Sequence, residues 1–134
     1  MISHKRLIET ALALKADSNC TERCFHVTYI FEKSKMLAVG MNNSKTHPRN
    51  LRLAHYDSVE KCHYGATVGC HSELRAILNL GKKDCSKFDF YNVRIDMNGK
   101  ANMSAPCKGC KSLLSQVGYK SVYYTNKDGI FQKL

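Results

Sequence analysis

The sequence predicts an α/β fold, with a central five-stranded mixed sheet and helices on both faces. Three observations predict it. Apolar residues recur at helical spacing in three stretches. Short runs rich in β-branched and aromatic residues lie between and after them. The resulting order of helix, two strands, helix, strand, helix, two strands gathers the strands into one sheet under the helices.

Residues 3–16 read as the first helix, because Leu7, Ile8, Ala11, Leu12 and Leu14 recur at near-helical spacing. Asp17-Ser18-Asn19 ends it. Residues 25–31 form a first strand and residues 36–41 a second. The polar residues 32–35 between them make a hairpin turn. Residues 42–50 are a loop by composition, and residues 51–62 are expected to hold a helical turn or two. Residues 63–68 lead into the next helix. A connection this long in a small domain is often functional. Tyr56 and Tyr64 within it could stack on a base or pack on the core.

Residues 70–80 read as the second helix, with Leu74, Ile77, Leu78 and Leu80 on its apolar side and Gly81 in the expected C-terminal position. Residues 88–95 form the third strand. Phe88, Phe90, Asn92 and Arg94 share one face, and Tyr91, Val93 and Ile95 lie nearer the other. Residues 96–100 are a turn. Pro106 is expected at the first position of the third helix, where proline is favoured. That helix runs to about residue 117 and ends at Gly118. Residues 121–125 are the fourth strand. Asp128-Gly129 is a hairpin turn, and residues 130–134 return antiparallel as the fifth.

At 134 residues the chain reads as one domain, 1–134, able to bury a real core. No apolar run is long enough for a membrane span, and the first residues lack the apolar centre of a secretory signal. The expected compartment is the reducing cytoplasm, with no membrane partner. The odd count of seven cysteines argues against a secreted disulfide framework. Cys20, Cys24, Cys62, Cys70 and Cys85 read as reduced thiols. A second metal site from Cys20, Cys24 and Cys62-His63 would have irregular spacing. The net charge of +10 suits a polyanion, although the basic residues are spread along the chain. Lys45, His47 and Arg49 crowd one loop, and Lys108 and Lys111 surround the last cysteine. If both groups lie at a pocket mouth, phosphate is a natural ligand.

The chemistry concentrates in residues 69–111. This stretch opens with His71-Ser72-Glu73 and closes with Pro106-Cys107-Lys108-Gly109-Cys110, giving H-x-E followed by P-C-x-x-C. Two cysteines three apart on a helix lie on one face. Alone, such a pair could be a redox couple, half of a structural zinc ribbon or two core thiols. One imidazole and two thiolates together suit zinc, and three protein ligands leave a fourth position for water, as in catalytic sites. A carboxylate near such a water can act first as base and then as acid.

Both motifs and the element order resemble the cytidine/deoxycytidylate deaminase superfamily of zinc-dependent nucleoside and nucleotide deaminases, over nearly the whole chain. The resemblance implies a three-layer α-β-α cytidine-deaminase-like fold with Zn2+ as cofactor. It implies His71, Cys107 and Cys110 as zinc ligands and Glu73 as the catalytic proton shuttle. It also implies that Asn42 contacts the substrate sugar, with Asn43 as fallback, and that the backbone of Ala105 touches the base. Lys45 and Arg49, just after Asn42, would then reach a phosphate of the substrate. Thr46-His47-Pro48 looks like a loop of phage and bacterial deaminase-like proteins.

The implied activity is hydrolytic deamination of a cytosine nucleoside or nucleotide, with ammonia released. A second reading is cytosine or adenine deamination on single-stranded DNA or RNA, with the charge supplying backbone contacts. A third is a zinc-stabilised binding protein without turnover, which would not need Glu73. His71 as first ligand, where free cytidine deaminases carry Cys, favours the nucleotide and polynucleotide branches. The Asp128-Gly129 hairpin favours the other. Superfamily members often form homo-oligomers.

Overall fold

The computed structural model describes residues 2–17, 25–42, 55–57, 62–64, 71–82 and 84–134. The first helix, α1, is His4–Asp17, followed by β1, Phe25–Glu32, and β2, Lys35–Met41. Two short strands follow, β3 at His55–Asp57 and β4 at Cys62–Tyr64. Next come α2, Ser72–Leu80, β5, Asp89–Ile95, and the two-residue β6, Ala101–Asn102. The chain closes with α3, Lys108–Val117, β7, Ser121–Thr125, and β8, Phe131–Lys133.

The main sheet has the order β2-β1-β5-β7-β8, with β6 added beside β5. β1 runs antiparallel to both β2 and β5, β5 and β7 are parallel, and β8 returns antiparallel to β7. The mixed sheet and the antiparallel last strand are as the sequence implies. Two features differ. β3 and β4 form a separate antiparallel pair where a helical turn was expected within residues 51–62. β6 is an additional strand, paired through Arg94↔Asn102 and Ile95↔Ala101.

Alternation along the strands builds two cores. On β1, Phe25, Val27, Tyr29 and Phe31 join Tyr91, Val93 and Ile95 of β5 under Leu7 and Ala11 of α1. From the opposite face, Ile30 and Phe90 pack with Leu74 and Ile77 of α2 and Leu113 and Leu114 of α3. With helices over both faces, the central strands are buried on both sides. That is the three-layer arrangement.

The β2–α2 contact is very close. A Cβ on Gly40 would lie 2.2 Å from the backbone N of Ala76, 2.6 Å from its Cα and 2.7 Å from the carbonyl O of Ser72. All three atoms are helix backbone, so no side chain can swing aside. Gly40→Ala is therefore expected to cost about 3 kcal/mol, the upper end for overpacking, or more. Urea unfolding reads this as a lower midpoint, and an unchanged midpoint would mean that α2 retreats freely.

Candidate active site

Two helix starts meet over one face of the sheet. His71 is the N-cap of α2, with extended backbone at φ −71 and ψ 154. Its ring makes no capping bond. It turns instead to the cysteines, with Nδ1 3.1 Å from Cys110 Sγ and 3.5 Å from Cys107 Sγ. Cys107 is the N-cap of α3, also extended, and its Sγ accepts from the backbone N of Cys110 at 3.5 Å. Capping explains a departure from the sequence reading. α3 begins at Lys108, and Pro106 lies outside it, because Cys107 needs extended backbone to turn its sulfur over the helix start. Likewise α2 begins at Ser72 and not at residue 70, which lies outside the described residues.

The donor set fits zinc. His71, Cys107 and Cys110 each offer one ligand atom, all within 4.8 Å of one another. Zinc–sulfur and zinc–nitrogen bond lengths put tetrahedral donors roughly 3.5–3.8 Å apart. Imidazole with two thiolates is also the soft set that zinc takes. Cys107 is lowered to about 4, first by the hydrogen bond with Cys110, and then by its hydrogen bond to His71 against the opposing cost of burial. The Cys110 thiol is pushed up, first by the same bond, so the pair shares one proton. His71 is raised, first by its hydrogen bond with Cys107. A ready thiolate is the form that binds metal.

Glu73 is the second residue of α2 and only 6% exposed. Because His71 precedes the helix, the two side chains need not share a helical face to approach one corner. Glu73 closes a ring of four side chains. Its Oε1 is 3.1 Å from Ser72 Oγ, which is 2.8 Å from Thr28 Oγ1, which is 2.8 Å from Asn92 Oδ1. Asn92 Nδ2 then donates to Glu73 Oε2 at 3.2 Å. The first three contacts need three protons, and the two hydroxyls supply only two. A bond from Ser72 alone would favour the carboxylate. The complete ring favours the acid, because a protonated Oε1 supplies the third proton. Burial, the largest influence, also raises Glu73 above its ordinary value.

The ring's partners were not singled out in the sequence. Thr28 and Asn92 are cross-strand neighbours on β1 and β5. Ser104 fastens Asn92 from behind, its Oγ donating to the Asn92 carbonyl at 2.8 Å. The signal was a polar residue between apolar neighbours at the buried centre of each strand. The next rung outward is His26↔Arg94. His26 is lowered to about 4, first by burial, then by the charges of Arg94 and His71.

Asn42 lies beside that rung. Its N donates to the His26 carbonyl at 3.2 Å and its Oδ1 accepts from His26 N at 2.9 Å. Ala105 is exposed, two residues before Cys107. Lys45 and Arg49 lie outside the described residues, as do Asn43, the Thr46-His47-Pro48 loop, Cys20, Cys24, Cys70 and the side chains of Tyr56 and Tyr64. Lys108 and Lys111 are exposed on the first turn of α3. Among the described residues, no helix is long and apolar enough to cross a membrane.

The fold has solved counterparts. Cytidine deaminase from Mycobacterium leprae is 19% identical with a TM-score of 0.57, covering 99% of this chain and 94% of that one. Cytidine deaminase from Burkholderia pseudomallei gives 19% and 0.57, over 99% and 92%. The dCMP deaminase of cyanophage S-TIM5, in complex with dCMP and dUMP, gives 20% and 0.56, over 92% and 80%. No curated protein sequence matches the chain. The family profile described as the cytidine and deoxycytidylate deaminase zinc-binding region matches residues 1–126. The chain therefore belongs to the zinc-binding cytidine and deoxycytidylate deaminase family.

Proposed function

We propose that the protein hydrolyses the exocyclic amine of a cytosine nucleoside or nucleotide, giving the uracil form and ammonia. One observation carries this reading: a buried carboxyl, raised by burial and closed into a hydrogen-bonded ring, stands two residues from a His-Cys-Cys metal cluster. His71, Cys107 and Cys110 would hold the zinc. Zinc, when bound, supplies Lewis acidity and makes water a nucleophile near neutral pH.

The chain's own residues do the proton work. Glu73 takes the proton of the attacking water and later gives it to the departing amine, so one carboxyl serves as base and acid. A raised pKa suits it to both tasks near neutrality. Asn92 and Ser72 hold its two oxygens, and Thr28 fixes both partners. The closely packed β2–α2 contact at Gly40 keeps the carboxyl at a fixed height over the sheet. Asn42 would meet the sugar and Ala105 the base from the two sides of the cluster. Lys45 and Arg49 would reach a phosphate. The expected compartment is the cytoplasm, and homo-oligomers are compatible with this reading.

Ammonia release tests the proposal when cytidine, deoxycytidine, dCMP and a cytosine-containing single-stranded oligonucleotide are compared side by side with zinc-loaded protein. Turnover of a free nucleoside or nucleotide is expected. Turnover of the oligonucleotide alone would transfer the chemistry to nucleic acid. No turnover of any of them would leave a zinc-binding protein without this activity.

A further inference from the structure

The rung outside the proton ring carries a cation that pairs with no carboxylate among the described residues. Arg94 lies on β5 two residues beyond Asn92, on the same face, roughly 7 Å along the strand. Its cross-strand partner is His26. The charge of Arg94 is felt at His26, and His26 in turn feels both His71 and Cys107. Arg94 therefore shares one neighbour, His26, with His71 and Cys107.

Its guanidinium is poorly satisfied. Nη1 donates to the Met103 carbonyl at 3.5 Å, the outer limit of a hydrogen bond. Nε is shut away from solvent and has no hydrogen-bond partner. Among the described residues the one salt bridge joins Lys5 to Glu9, so no carboxylate pairs with Arg94. Glu73, which hydrogen-bonds Asn92 on the same strand, is already held by Ser72 and Asn92. A buried donor of a charged group normally has a partner. The weak Nη1 bond leaves the Nε–Nη2 edge as the side-on fork, which matches two oxygens of a phosphate.

We infer that Arg94 is a specificity-determining residue, whose Nε–Nη2 edge turns to take a phosphate of the substrate. The inference rests on the deaminase reading above and narrows it to phosphorylated nucleotides. Met103 and Ser104, which receive donors from Arg94 and Asn92 respectively, lie in the segment leading to Ala105 and Cys107. An anion bound at Arg94 would thus be tied through the same segment to the metal cluster and the proton ring. His26 adds no competing charge near neutral pH, because burial keeps it in the neutral form.

Arg94→Gln tests this with two readouts on zinc-loaded protein. The first is kcat/KM for dCMP against deoxycytidine. Loss of a charge-assisted fork predicts a fall of roughly 10–100-fold for dCMP, with deoxycytidine changed by less than about threefold. The second is direct binding of dUMP and of deoxyuridine by calorimetry, where only dUMP should weaken. Equal losses for the phosphorylated and free compounds would overturn the inference and make Arg94 a contact to base or sugar. No loss for either would overturn it too. If wild-type protein binds dUMP through Arg94 but deaminates nothing, the anion site stands and the deaminase reading fails. If it deaminates and Arg94→Gln shows no discrimination, the reverse holds. Should Arg94→Gln fail to fold, Arg94→Lys, which keeps the charge but not the fork, takes the same comparison, with a smaller loss confined to dCMP.

Discussion

Glu73→Gln is expected to keep about one zinc per chain and to lose deamination by roughly 10²–10⁴-fold or more, since one group would serve several proton transfers. The substitution changes little else. A glutamine fills the same space, its carbonyl oxygen can accept from Asn92 Nδ2, and its amide can donate to the Ser72 hydroxyl. What disappears is the ability to gain and lose a proton. The stability sign follows from the raised carboxyl. Its folded pKa lies above the ordinary value of 4.5, so the folded state holds the proton more tightly than the unfolded chain. The cost of burying the ionised form is absent below that ordinary value and grows as pH rises through the folded one. With zinc chelated, the glutamine variant should therefore melt like the parent near pH 4 and above it at pH 8. Activity at the parental rate would remove Glu73 from the mechanism. Loss of zinc would make it a support of the metal cluster instead.

This ring shows where local sequence stops being informative. β1 and β5 were readable because both faces of the sheet are covered, so the two strands are rich in the β-branched and aromatic residues that fill a core on each side. Helix α2 was readable from its leucines and from Gly81, which takes the left-handed φ of 73 that a C-cap requires. The grouping of His71, Cys107 and Cys110 was readable because two short motifs carry them at the starts of two helices. The ring was not. It needs Thr28 opposite Asn92, and that register is decided by the whole β1–β5 ladder rather than by either strand. Arg94 hid for the same reason. In the sequence it is one of 21 basic residues, and only the sheet sets it beside His26.

The misreadings have local causes as well. Residues 55–57 and 62–64 are strands of only three residues each, too short for a period of two to stand out, and their pairing is with each other rather than with the main sheet. Proline statistics favoured Pro106 as the first helical residue. The cap was taken instead by a sulfur, which also belongs to the His71-Cys107-Cys110 group.

On the proposed reading Cys107 has two jobs, as cap and as zinc ligand, and paired substitutions separate them. Cys107→Ala is expected to lose zinc, falling from about one per chain to near none, and to lose the capping acceptor for Cys110 N. Cys107→Ser keeps a favoured capping oxygen but replaces the soft thiolate with a hydroxyl that zinc binds poorly. Both variants should therefore be low in zinc by metal analysis. The serine variant should be the more stable by about 1 kcal/mol, the usual worth of a cap. The zinc effect should be far larger, because apparent binding energies of structural thiolate sites are about 10–16 kcal/mol, comparable with the whole stability of a domain. Wild-type protein in chelator should accordingly melt near Cys107→Ser and not near the zinc-loaded parent. A Cys107→Ser protein that still carries a full zinc through purification would show that Cys107 is a cap alone, and the metal would have to be held without it.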